Sequence, residues 1–237
     1  LAAASLAFAA LVGMSFLGRF FLQAPALKML GLAVVIALGM SPVLDFTYRL
    51  NEWALVPGSD LHQWAGGLEA QAMVLTKALL AFSGTSEVWA VLFSVAVLPA
   101  LCEEWLFRGT LQPILVRATG NIHVGIWVSA ALFSAIHMQF FGFVPRLLLG
   151  AGFGYLVVAS GNIWIAIVCH YINNATAVIA AWHFGSEWLE TGLEPSAKPW
   201  ETSQYFITVI FAIVIFTIAK RLSSYSVWKE NEAEYLS

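Results

Sequence analysis

The chain has 237 residues, 60% of them hydrophobic and 11% charged, with a mean hydropathy of +0.80. No soluble domain of this size covers so much apolar surface, so the composition places the chain among polytopic helical membrane proteins, an all-α class. A net charge of -3 with scattered basic residues leaves no footprint for nucleic acid.

In chain order, the first segment lacks a basic n-region and reads as a trimmed N-terminus, not a signal peptide. Two apolar runs, Ala4 to Phe21 and Leu27 to Phe46, flank Gln23-Ala24-Pro25 and predict a helical hairpin across the membrane. Tyr48 to Asp60, polar and containing Pro57-Gly58, reads as a loop. From Leu61 to Phe82 the polar residues His62, Glu69, Thr76 and Lys77 share one helical face, which suits an interfacial helix. A span beginning near Glu87 runs through Pro99 toward Arg117 and stops at Gly120. Pro99 either bends that helix or strips the donor from the carbonyl about four residues earlier. Asn121 to Phe143, Arg146 to Ser160 and Asn162 to Phe184 follow with short connections, and the alternating Gly150, Gly152 and Gly154 let helix backbones approach. An acidic, Trp-bearing loop, Gly185 to Glu201, precedes a last span, Tyr205 to Ala219, that ends in Lys220-Arg221.

The positive-inside rule puts those last basic residues, and hence the C-terminus, in the cytoplasm and the acidic loop outside. The expectation is a bundle of seven or eight spans enclosing a polar cavity. It divides into an N-terminal part (1–85), a four-helix core (86–184) and a final loop, span and tail (185–237). Trp164, Trp182, Trp188, Trp200 and Tyr205 suit an aromatic belt, and His62, His123 and His183 sit near helix ends. Cys102 and Cys169 lie inside apolar segments and read as small packing residues, not as a disulfide. No repeat with a period of tens of residues appears.

The unusual stretch is Leu101-Cys-Glu103-Glu104-Trp-Leu-Phe-Arg108-Gly109, three ionisable side chains within an apolar segment. Each would cost roughly 2.5–3.5 kcal/mol at a bilayer centre on insertion-type scales. On a helix Glu104 and Arg108 are four apart and pair, while Glu103 points about 100° away and is left without a local partner. Further polar residues interrupt later helices: His137 in Phe133-Ser-Ala-Ile-His137, and His170 with Asn174 in His170-Tyr-Ile-Asn-Asn174. Counting about 1.5 Å per residue from the cytoplasmic connections puts His170 about 12 Å deep, Asn174 about 18 Å, Glu103 about 21 Å and His137 about 24 Å. Such convergence suits chemistry in a watery cavity. Glu103 becomes a general base on water with His137 sharing or orienting it, and Asn174 with His170 donates to an oxyanion. No serine or cysteine stands out as a nucleophile.

Glu-Glu-x-x-x-Arg, Phe-x-x-x-His and His-x-x-x-Asn, in that order on successive helices, resemble the CPBP family of intramembrane proteases, which includes the type II CAAX prenyl endopeptidases. The resemblance covers about Glu87 to Ala180. It implies a glutamate-dependent endopeptidase, with Glu103 and His137 as the water-activating pair and His170 and Asn174 as the oxyanion pair. Glu104 and Arg108 match the supporting part of the first motif, and Phe133 reads as a packing wall beside His137. The expected partners are the bilayer and a membrane-associated protein or peptide substrate, in a bacterial cytoplasmic membrane. No cofactor is expected. The rival readings are a Zn²⁺ site made by Glu103, His137 and His170, a non-catalytic scaffold or immunity protein, and a transporter, this last disfavoured by the lack of two related halves.

Overall fold

A computed structural model describes residues 24–185, except 26, 83 and 85, together with positions 206, 210, 213 and 217. The expected first span, the acidic loop, most of the last span and the basic C-terminal cluster lie outside the described residues, as do Trp188, Trp200 and Tyr205.

The described residues are helical and include no strand. The helices are α1 (Leu27–Gly39), α2 (Ser41–Ala54), α3 (Asp60–Leu79), α4 (Glu87–Thr119), α5 (Ile122–Ala135), α6 (Phe143–Ser160) and α7 (Ile163–Phe184). Four stretches are long and apolar enough to cross a membrane: Leu27–Ala54, which joins α1 to α2, and α4, α6 and α7; α5 is apolar but shorter. This is a multi-pass helical membrane protein. The amphipathic α3 is not among the potential spans, in keeping with its polar face.

Two boundaries differ from those expected by more than one helical turn. Tyr48 to Ala54 is helix, not loop, because α2 continues past Phe46. The Asp45–Arg49 pair, 3.3 Å apart and four residues along, supports that continuation, and the break comes at 55–59, where Val56 and Gly58 have positive φ. At the other site, α5 ends at Ala135 and not near Phe143. The backbone tightens there through Met138 N–H to the Ala135 carbonyl, and Met138 itself adopts φ 54°. His137 therefore stands in the turn just beyond the helix.

The long α4 reaches Thr119 and is closed by Gly120 in the left-handed conformation (φ 63°), as the sequence predicts. It contains two π-helical turns, Leu92–Val97 and Phe107–Leu111, each ending two residues before a proline, Pro99 and Pro113. A proline ring lacks the donor for the turn behind it and clashes with the carbonyl four residues back, and a widened turn relieves the clash. The second π turn also carries Arg108 and brings it, with Gln112, to face α6. There the two side chains donate to the carbonyls of Gly150 (2.8 Å) and Gly154 (3.4 Å), one turn apart on each helix. A Cβ on Gly154 would stand 2.6 Å from Gln112 Oε1 and 3.0 Å from Ile126 Cγ2, so a larger residue there would displace the Gln112 amide.

Short polar turns join the helix pairs. Thr119-Gly120-Asn121-Ile122 and Ser160-Gly161-Asn162-Ile163 fold alike: the hydroxyl bonds back to the fourth preceding carbonyl, the glycine is left-handed, and the asparagine side chain caps the next helix. The main core combines α1 (Ala33, Ala37), α4, α5, α6 and α7, and Cys169 lies within it, its thiol on the Ala33 carbonyl. Both cysteines are free.

Candidate active site

The site is built where α4, the end of α5, α6 and α7 meet. Glu104 has a fully buried side chain (0% exposed) and Arg108 is 1% exposed. Their pair closes at 2.9 Å between Nη1 and Oε1, as the four-residue spacing predicts. The guanidinium is further held by the Gly150 carbonyl and lies over two rings, 4.8 Å from the Phe133 centroid and 5.6 Å from that of Phe153. A planar cation in a ring sandwich with both ends hydrogen-bonded is the arrangement in which burying charge is least costly.

The same Glu104 Oε1 accepts a second bond, from Nδ1 of His170 at 2.8 Å. This link was not legible from spacing, since Glu104 and His170 are 66 residues apart and their helices meet only in the fold. It orients the ring: with Nδ1–H directed at a carboxylate, Nε2 faces the other way, toward Glu103. His137 is oriented likewise, its Nδ1–H donating to the Phe133 carbonyl at 2.8 Å. Both histidines thus present Nε2 to one atom, Glu103 Oε2, at 3.9 Å from His137 and 3.8 Å from His170.

That Oε2 is buried and makes no hydrogen bond. The two separations exceed a direct hydrogen bond and set both ring nitrogens around one carboxylate oxygen. Phe133 serves as more than a wall beside His137. Its ring packs edge-on at 5.0 Å against His137, at 6.0 Å against His170 and at 5.2 Å against Phe107, while its opposite role is to receive Arg108. Ser129, which the sequence did not mark, donates to the Phe107 carbonyl at the start of the second π turn.

Asn174 lies one turn beyond His170. Its amide donates to the Val95 carbonyl at 3.2 Å and its carbonyl accepts from Asn173. Val95 is four residues before Pro99, so α7 supplies the hydrogen bond that the proline cannot make. Glu103, His137 and His170 are therefore brought together directly, and Asn174 is tied to the same helix as Glu103 through Val95. A cavity of about 430 Å³ is lined by Leu44, Tyr48, Glu69, Gln139, Arg146 and Asn173, and none of Glu103, His137, His170 and Asn174 is among its lining residues.

A zinc ion held by a glutamate and two histidines has bonds of about 2.0–2.1 Å, which sets tetrahedral ligand atoms about 3.3 Å apart. The Glu103 to histidine separations are wider by about half an ångström on that scale. Among the described residues no group of three His, Cys, Asp or Glu side chains is close enough to hold a metal ion. The residues as placed do not fit the zinc rival, and no step is routed through a metal.

Comparison with known proteins bears on the same segment. Residues 85–176 match the family described as type II CAAX prenyl endopeptidase Rce1-like. A protein of Bacillus subtilis (strain 168), named uncharacterized protein YpbD, is 27% identical over 85 residues, 34% of this chain and 40% of that one. The chain thus covers about two-fifths of the relative's length. No solved structure matches the chain significantly. The matched segment contains Glu103, Glu104, Arg108, His137, His170 and Asn174, and over residues 85–176 the chain is similar, at the level of a family model, to the Rce1-like type II CAAX prenyl endopeptidases.

Proposed function

We propose that this protein is an intramembrane endopeptidase that hydrolyses a peptide bond of a membrane-associated protein or peptide. The observation that carries the reading is the meeting of Glu103 Oε2 with two histidine Nε2 atoms at 3.8 and 3.9 Å, in a cluster whose other carboxylate is already engaged. Glu104 Oε1 is held by Arg108 and His170, and although Glu104 Oε2 has no hydrogen-bond partner either, only Glu103 faces both histidine Nε2 atoms, which makes Glu103 the base.

In the proposed reaction Glu103, with His137 orienting the water, takes a proton as the water oxygen bonds to the carbonyl carbon. The carbonyl π pair moves to oxygen. When it carries both ring protons, His170, supported by Glu104, donates Nε2–H to that oxyanion, and the second amide hydrogen of Asn174 does the same. On collapse the C–N bond breaks, and the proton held by Glu103 passes to the departing amine. The family match supports the reaction class, and the buried Glu103 Oε2 facing two histidine Nε2 atoms supports the roles. The setting is a cell membrane, with the C-terminus in the cytoplasm.

Reconstituted protein tests the reading. Glu103→Gln keeps size and hydrogen-bonding shape but is no base, so cleavage of a membrane-anchored reporter falls by at least about 100-fold with the melting temperature unchanged. Full turnover in Glu103→Gln would overturn it. Cleavage that survives exhaustive chelation in metal-free protein separates this mechanism from the zinc rival, whereas loss with rescue by Zn²⁺ would favour the rival.

A further inference from the structure

A second polar cluster takes no part in the reaction above. It lies around the turn 136–142 that carries His137 out of α5. Contacts from α3 converge on this turn: the His62 ring is 5.1 Å from Phe141 and Trp64 is 4.7 Å from Phe140. Phe141 also covers Gly66, its ring 3.8 Å from the position of a Cβ there. Glu69 Oε1 accepts from Gln139 Nε2 at 3.4 Å. From the opposite side Arg146, in the first turn of α6, donates Nη1 to Gln139 Oε1 at 3.1 Å and Nη2 to the Gln139 main-chain carbonyl. Asn51 of α2 donates to the Phe140 and Phe141 carbonyls, and Ser134 to that of Phe143.

Gln139 is thus gripped at both ends of its amide and at its backbone, two residues after His137. Between them Met138 holds φ 54°, a conformation that a side-chain-bearing residue keeps only when its surroundings enforce it. Such a link transmits the position of Gln139 to His137 instead of absorbing it. A displacement of about 1 Å in a reacting group can cost about 100-fold in rate, so a device that fixes this turn has kinetic weight.

We propose that Glu69, Gln139 and Arg146 are positioning residues for His137: the chain of hydrogen bonds from α3 through Gln139 to α6 clamps the turn and so holds the imidazole Nε2 toward Glu103. None of the three touches the reacting atoms. Glu69 lies upstream of the family-matched segment, so the clamp couples the N-terminal part of this chain to the site. The inference rests on the peptidase reading for its kinetic consequence, while its structural consequence stands apart from it.

The test uses full-length protein, labelled with ¹⁵N-histidine, in lipid nanodiscs, with His137 assigned by the signal missing in His137→Gln. Wild type, Glu69→Ala, Glu69→Gln and Arg146→Lys are compared, with thermal melting as the check on folding. Wild type shows His137 as the Nδ1–H tautomer with a protected proton. In Glu69→Ala and Arg146→Lys that signal shifts and its exchange speeds by at least about tenfold, whereas Glu69→Gln, which keeps the acceptor, retains it. On a single-span reporter cut by the wild type, kcat falls about 10- to 100-fold in Glu69→Ala with KM nearly unchanged, and Glu69→Gln restores it. An unchanged His137 signal in folded Glu69→Ala overturns the proposal, even if Glu103→Gln abolishes cleavage. A responsive signal with full turnover in Glu103→Gln upholds the clamp and overturns the peptidase reading.

Discussion

Replacing Arg108 by Met removes the cation while keeping an apolar side chain of similar reach. Glu104 then stays at 0% exposure without its 2.9 Å partner, the Gly150 carbonyl loses its donor, and the Phe133 face loses its cation. Breaking one side of a buried pair costs about 3–5 kcal/mol, an orphaned buried carbonyl about 1–3 and a desolvated cation–π contact up to about 2. These terms share one side chain and overlap, so the expected loss is about 4–6 kcal/mol. The double variant Glu104→Gln/Arg108→Met removes the stranded charge and keeps an acceptor for His170 Nδ1–H. It should recover the cost of the stranded charge and keep only those of the Gly150 carbonyl, about 1–3 kcal/mol, and of the cation–π contact, up to about 2 kcal/mol. Equilibrium unfolding in mixed micelles, titrated with a denaturing detergent, measures both. A loss under about 1 kcal/mol in the single variant, or a double variant no more stable than the single, would refute the assignment of this pair as the support of the buried cluster.

Three further outcomes follow from particular contacts. Gly125→Ala would set a Cβ 2.8 Å from the Val116 backbone nitrogen and 3.0 Å from its Cα, and because backbone cannot yield as a side chain does, unfolding titrations should show a loss of about 1–3 kcal/mol or more. Asn174→Ala strands the Val95 carbonyl, at about 1–3 kcal/mol; Pro99→Ala restores a local N–H, so the same substitution costs less in the Pro99→Ala background, a coupling that a double-mutant cycle reads directly. Glu69, on the interfacial α3, has its carboxyl raised above the ordinary 4.5 chiefly by burial, against the lowering effect of Arg146. A carboxyl raised on folding binds more protons in the native state, so its contribution is present at low pH and lost as pH rises from about 4.5 through the folded value. Glu69→Gln removes that slope, and melting curves between pH 4 and 7 should be flatter than those of the wild type by that contribution.

The sequence pattern carried the helices and the Glu104–Arg108 pair well, because hydrophobic runs, Gly120 and the four-residue spacing are local signals. Pro99 was legible as the site of either a bend or a carbonyl lacking its donor, but neither the π turn before it nor the donor that Asn174 supplies from α7 could be read. What could not be read were contacts made across the bundle. Glu104 bonding to His170 depends on the register of two helices far apart in the chain, and the π turns that set this register follow from how two prolines pack. The end of α5 was misplaced because Ile136 to Phe143 is apolar enough to pass for helix, while its turn is imposed by Asn51, Glu69 and Arg146 from three other elements. The acidic loop, the expected first span and most of the expected last span lie outside the described residues.

The central claim is that Glu103 is the base of a hydrolytic reaction on a membrane protein. Quantitative mapping of new protein termini in membranes of cells carrying the wild-type protein or Glu103→Gln, expressed at equal levels, tests it most directly. The account predicts at least one membrane-protein terminus that is present with the wild type and absent with Glu103→Gln. An identical set of termini in the two, under conditions where the wild type changes the proteome relative to a null strain, would contradict it.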